Sequence, residues 1–208
     1  MSVVIGIIMD GTVLLAADQR MVNLDTGKIA SETFKKIFAI NEHLAISVVG
    51  NAGLSAGIFY SMREFNKNQN PSAIKNAFVD EYCSYIDRGI EIMQETIDIT
   101  SNDLSCTIIV AGKTKSGVPV VKYRAYEEPM WACQAESKAA IVPIIFNPSD
   151  TSKEKCLKIL QTSINRYREK SGGMIEILFD TIKRISAVSS SVNDNIDVWL
   201  CDAATIIN

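Results

Sequence analysis

The chain opens with short apolar runs separated by turns. Ser2 to Ile8 is nearly all β-branched, Met9-Asp10-Gly11 reads as a turn, and Thr12 to Ala17 is apolar again. Thr33 to Ile40 and Leu44 to Val49 form a second pair around the turn Asn41-Glu42-His43, ending at Gly50. Connections this short join antiparallel neighbours. The runs lack the apolar–polar alternation of a sheet with one wet face. Continuous apolar runs mark strands covered on both faces. Antiparallel strands covered on both sides predict an α+β fold, a four-layer α/β/β/α sandwich of two stacked antiparallel sheets flanked by helices.

Helical spacing follows where that sandwich needs it. Leu54, Ile58, Met62 and Phe65 recur on one helical face. Asn70-Pro71 is a start signal, and Ile74, Phe78, Tyr82, Tyr85 and Gly89 mark one side of a long helix after it. Strands return at Cys106 to Ala111 and Val118 to Tyr123, with shorter extended pieces near Trp131 to Gln134 and Ala139 to Phe146. Thr151-Ser152-Lys153-Glu154 resembles a capping box. The helix behind it carries Cys156, Leu160, Ile164 and Tyr167 on one stripe. A further helix shows Met174, Leu178, Ile182 and Ile185, and Ile196 to Cys201 reads as a last strand. With 208 residues and no internal repeat or linker, residues 1–208 are expected to form one domain.

Composition narrows the function classes. A net charge of −3 with scattered Lys and Arg gives no general attraction to nucleic acid or anionic lipid. No run approaches the roughly 18 to 20 apolar residues that span a bilayer, and the start lacks the basic stretch of a signal peptide. The expectation is a cytoplasmic protein without nucleic-acid or membrane partners. Cys83, Cys106, Cys133, Cys156 and Cys201 are odd in number and include no Cys-x-x-Cys pair, so they read as reduced thiols, mostly buried. A single histidine, His43, argues against a serine–histidine triad or a histidine zinc site. No cofactor and no metal are expected, and no Gly-rich phosphate loop supports a flavin or nucleotide binder.

Three positions hold candidate chemistry. Ser2 follows Met1, whose removal would place a hydroxyl and a free α-amine on one residue. Such an amine titrates near 7.7–8.0 and can serve the hydroxyl as base. Met-Ser begins countless unrelated chains, so this feature alone says little. In Thr33 to Ile40 the lysines 35 and 36 point to opposite faces, Lys36 with Phe34, Phe38 and Ile40. Either both snorkel at a sheet edge, or one ammonium is buried and needs a partner. Asp18 ends the apolar run Val13 to Ala17 and is the natural partner, unless Asp18-Gln19-Arg20 merely begins a loop.

The segment Asp10-Gly11-Thr12-Val13-Leu14-Leu15-Ala16-Ala17-Asp18-Gln19-Arg20 resembles the second strand and following loop of proteasome β-subunits and the HslV peptidase. Ile29 to Ile37 resembles their lysine-bearing strand, and Leu44 to Gly50 the strand and glycine loop that come next. The likeness is specific over residues 2 to about 65. It implies the N-terminal-nucleophile hydrolase fold, with Ser2 as nucleophile and Lys36 lowering the amine's pKa and orienting the hydroxyl. Asp18 would hold that lysine, and the Gly50 N–H would serve the oxyanion. Arg20, Ser137 and Ser191 would support the site. The sequence departs from the family in four respects. The nucleophile is serine where the family usually has threonine. The Gly-Ser-Gly loop is represented by Gln134-Ala135-Glu136-Ser137. Ser189-Ser190-Ser191-Val192-Asn193-Asp194 replaces an Asp…Ser-Gly-Gly segment. The loop Met21 to Lys28 is two residues longer than usual. The resemblance implies hydrolysis of peptide or protein substrates, homo-oligomeric rings or stacked rings, and a regulatory ATPase as a compatible partner. A ligase or transpeptidase would use the same acyl-enzyme, and a non-catalytic structural or regulatory subunit would keep the sandwich without turnover.

Overall fold

The computed structural model describes residues 2–9, 11–23, 26–51, 53, 56–57, 76–96, 106–126, 128, 130–135, 142–168 and 173–201. The helix expected over Leu54 to Phe65, the start signal Asn70-Pro71 and the first stripe residue Ile74 lie outside the described residues, save for helical residues 53, 56 and 57.

Among the described residues, two antiparallel sheets stack face to face. The first runs β10 (Val142–Phe146), β1 (Val4–Met9), β2 (Thr12–Asp18), β11 (Ile196–Cys201). The second runs β5 (Ile37–Asn41), β6 (Leu44–Gly50), β7 (Cys106–Lys113), β8 (Pro119–Ala125), β9 (Ala132–Ala135). A small hairpin of β3 (Met21–Val22) and β4 (Ile29–Ser31) stands apart from both. Its first strand lies in the loop Met21 to Lys28 and its second in the segment read as the lysine-bearing strand, and strands of two and three residues leave no periodic signal.

The apolar runs divide by alternation. From β1 and β2, Val4, Ile8, Val13, Leu15 and Ala17 face the second sheet and meet Ala45, Val49, Ile109, Ala111 and Val121. The alternate residues Ile5, Ile7, Leu14 and Ala16 face helices α2 (Lys153–Arg168) and α3 (Met174–Ser186). On the far side, Leu44, Ile46, Ile108, Val110 and Val120 pack beneath α1 (Val79–Thr96). This is the anticipated four-layer sandwich, and a period of two explains it. A strand covered on both sides must be apolar at every position.

Helix faces follow the 3.6-residue period. Tyr82, Cys83, Ile86, Ile90 and Met93 of α1 are buried, with Tyr85 beside them. Cys156, Leu160 and Ile164 of α2 and Leu178, Ile182 and Ile185 of α3 are likewise buried. The capping box shifts by one residue. Ser152, not Thr151, accepts the Lys155 N–H at 3.3 Å, while the Thr151 hydroxyl is buried without a hydrogen-bond partner among the described residues. The five cysteines are free, four of them buried and Cys133 exposed. Among the described residues no helix is long and apolar enough to cross a membrane.

Candidate active site

One end of the sandwich collects the ends of many strands. In antiparallel pairs the start of one strand lies beside the end of its neighbour. Val4 pairs with Ala17 and Phe146, and Ile196 with Asp18. The start of β1, the end of β2, the end of β10 and the start of β11 therefore converge. In the second sheet Ile37 pairs with Ser47, so the start of β5 and the end of β6 at Gly50 share an edge. Gly50 has φ of 123°, a left-handed conformation that favours glycine.

At this end Asp18 is fully buried and Lys36 is 4% exposed. The Lys36 Nζ donates to Asp18 Oδ1 at 2.8 Å and to the Arg20 carbonyl at 2.6 Å. The same carboxylate accepts Val3 N–H at 2.9 Å and Arg20 N–H at 3.0 Å. Val3 N and Lys36 Nζ thus share one oxygen, which holds the backbone at the start of β1 to the buried ion pair. Ser2 is itself 9% exposed. Burial pushes the Asp18 carboxyl upward, opposed by the charge and hydrogen bond of Lys36. Burial likewise lowers the Lys36 pKa, against the pull of Asp18. Each charge is costly here without the other.

Sequence alternation does not explain how Lys36 is buried. The run Thr33 to Ile40 becomes a strand only at Ile37, and residues 34–36 are irregular. Phe34 and Phe38, expected to share its face, are 36% and 37% exposed. Lys36 and Ile37 are both buried although consecutive. Asp197 on β11 causes the break. It accepts Lys36 N–H at 2.9 Å and the Gln19 side-chain amide at 2.6 Å, so the backbone is held to the first sheet where a ladder would otherwise run.

Arg20 reaches outward. Its guanidinium lies 3.1 Å from Glu32 in an ion pair whose acid is 44% exposed, worth little by itself. Its Nη1 donates to the Ser190 carbonyl at 2.7 Å. Asn193 is buried and ties three segments together. Its Oδ1 accepts Gln19 N–H at 3.0 Å, and its Nδ2 donates to the Glu32 carbonyl and carboxylate at 2.8 and 2.7 Å.

Ser191 is buried, with its hydroxyl 3.2 Å from Asp150 Oδ1 and 3.1 Å from the Ser189 hydroxyl. Ser137 lies outside the described residues. Sequence reading missed Asp150, Asp197 and Asn193. Asp150 sits in the turn-forming Asn147-Pro148-Ser149-Asp150, and its partners lie about forty residues downstream. Burial acts to raise its pKa, but the hydrogen bonds from Ser189, Ser190 and Ser191 outweigh this and bring it from 3.8 down to about 2. A depressed carboxyl stabilises the fold above its unfolded value and loses that contribution as the proton binds. Asp150→Ala is therefore expected to melt below the wild type at neutral pH. The gap should hold above pH 3.8 and narrow as pH falls towards about 2. Thermal melts across that window test it, and a gap indifferent to pH would show that the charge contributes nothing.

A family model described as Proteasome subunit matches residues 2–119, more than half of the chain. A comparison with curated proteins finds no match. Among solved structures, HslV of Trypanosoma brucei superposes with a TM-score of 0.58 at 13% identity, over 95% of this chain and 98% of that one. The Anbu complex of Pseudomonas aeruginosa, a helical assembly, gives 0.67 at 16% identity, over 95% of this chain and 80% of that one. Anbu (ancestral β-subunit) of Yersinia bercovieri gives 0.67 at 14%, with the same coverages. At such identities the likeness is one of fold.

Proposed function

Because the chain belongs to the proteasome subunit family, we propose that it is an N-terminal-nucleophile hydrolase of peptide or amide bonds, acting through Ser2 once Met1 is removed. The observation that carries this reading is the shared carboxylate oxygen. Asp18 Oδ1 binds Val3 N–H at 2.9 Å and the Lys36 ammonium at 2.8 Å, so a free residue 2 would start beside a buried cation.

In the proposed reaction, Ser2 Oγ attacks the substrate carbonyl and its proton passes to the Ser2 α-amine, directly or through water. An amine near 7.7–8.0 is well matched to neutral pH, and a neighbouring ammonium lowers it further. Asp18 keeps that ammonium oriented. The Gly50 N–H would receive the oxyanion, a donor typically worth about 3 kcal/mol in the transition state. Water then resolves the acyl-enzyme, and an amine in its place would make the same chemistry a ligation. We extend the proposal to one working domain over residues 1–208, a cytoplasmic site of action and self-association, on the likeness to a helically assembled complex.

The test is covalent capture. A mechanism-based acylating probe is expected to add its mass to the wild-type protein and to Ser2-bearing peptides only. Ser2→Ala should stay unlabelled with its fold intact. An intact mass that retains Met1, or wild-type protein inert to the probe, would overturn the catalytic reading in favour of a structural or regulatory subunit.

A further inference from the structure

Asp197, the second residue of β11, makes two bonds at the candidate site that the proposed reaction does not use. Its partner across the ladder is Ala17, which faces the second sheet, so Asp197 faces that sheet too. One carboxylate oxygen, Oδ2, accepts the Lys36 N–H at 2.9 Å, and the other, Oδ1, accepts the Gln19 side-chain amide at 2.6 Å. The Gln19 carbonyl accepts the Phe34 N–H at 2.8 Å. The segment before β5 is thus tied to the first sheet at residues 34 and 36, where it has no ladder of its own, since pairing with β6 begins at Ile37. Lys36 is held to the first sheet at both ends. Its N–H rests on β11 and its ammonium on Asp18, at the end of β2. Ile196 pairs with Asp18, so the two carboxylates stand on neighbouring strands, one residue apart in register.

From this geometry, and resting on the reading of Ser2 as nucleophile with Lys36 as its cation, we propose that Asp197 is a positioning residue that seats the Lys36 backbone so that its ammonium lands on Asp18. Alternation along a strand shows why the seat is needed. Ile37 lies in the core between the sheets. Were the β5 ladder to continue back through residue 36, consecutive side chains would take opposite faces, and Lys36 would point away from the first sheet and from Asp18. Asp197 holds the Lys36 N–H out of that ladder, so residues 36 and 37 are both buried. The carboxylate also acts through its charge. The charges that face Lys36 are Asp18 from β2, Asp197 from β11 and Arg20 from the segment after β2. Both carboxylates favour its charged form and Arg20 opposes it. The charged form is the one the proposed reaction uses. An amide does not replace the carboxylate, because both contacts come from N–H donors and asparagine has one oxygen.

The experiment follows acylation by the probe at saturating and limiting concentrations, from pH 5 to 10, in wild type, Asp197→Asn and Asp197→Ser. Serine keeps one acceptor for the Lys36 N–H without adding an NH₂ group, so it carries the test if the asparagine variant folds poorly. In parallel, the Lys36 side chain is titrated by NMR on lysine-labelled protein, its signal assigned by its absence from Lys36→Arg. The expected result for each variant is a fall in the maximal acylation rate on the order of tenfold, with probe binding little changed. Removing an anion beside a lysine lets the proton leave at lower pH. The NMR titration of Lys36 and the alkaline limb of acylation should therefore both move to lower pH, a shift that loss of stability alone does not produce. A wild-type maximal rate in either folded variant, an effect confined to probe binding, or a Lys36 titration that does not move would overturn the role of Asp197 while leaving Ser2 as nucleophile. A wild-type protein that the probe does not label overturns both.

Discussion

Lys36→Met should destabilise the protein by about 3–5 kcal/mol at neutral pH, the usual loss when one partner of a buried ion pair is removed. Methionine fills a similar volume, so the loss comes from Asp18, which is fully buried and would keep only the Val3 and Arg20 N–H donors. The sign of the pH dependence follows. Burial already raises the Asp18 pKa, and without the ammonium it rises further. A carboxyl whose folded pKa exceeds its unfolded value contributes stability that is full below the unfolded value and lost as pH rises through the folded one. The deficit of the variant should therefore be largest at neutral pH and shrink in mild acid, as urea unfolding at pH 7 and pH 5 would show. Asp18→Asn combined with Lys36→Met removes both charges and should recover part of the stability. Neither variant should be labelled by the acylating probe. Labelling at the wild-type rate in a folded Lys36→Met protein would end the proposed role of the lysine, whatever the stability change.

Gly112→Ala should cost about 3 kcal/mol or more, at the upper end for overpacking. A Cβ at residue 112 would fall onto the His43 carbonyl oxygen, closer than atoms can approach, with Leu44 Cα at 3.2 Å behind it. Both obstacles are backbone and cannot rotate away. The turn from Asn41 to Leu44 would have to lift off β7 and give up the bond from Lys113 N–H to His43 O at 3.2 Å. Gly117→Ala is the control. Its φ of +81° costs roughly 1–2 kcal/mol of left-handed strain, but nothing lies within 4 Å of the added methyl. Urea unfolding of the two variants separates lack of room from backbone strain, and equal losses would refute the steric argument.

Much of the architecture was legible because each layer has its own period. The runs at Val4 to Ile8 and Val13 to Ala17 are apolar at nearly every position because alternate residues serve two different cores. The stripes Cys156-Leu160-Ile164 and Leu178-Ile182-Ile185 mark helices with one dry face. Where local pattern was thin, reading failed. Residues 34–36 look like strand and are not, and the β3–β4 hairpin is too short to show any period.

The candidate site divides in the same way. Asp18 stood out because a carboxylate ending an apolar run needs a partner, and a family resemblance pointed to Lys36 and Gly50. Asp150, Asp197 and Asn193 had no such marker. Each is a common polar residue in a turn or at a strand end, and each has its partners 39 to 178 residues away in sequence.

By itself, then, the sequence determined the layers, through apolar spacing that a chain must satisfy locally before it can bury anything. Only the tertiary structure decided which polar groups meet at the end of the sandwich where strands β1, β2, β10 and β11 converge. Hydrogen bonds and ion pairs act over about 3 Å, and no periodicity along a chain records which distant segments come that close.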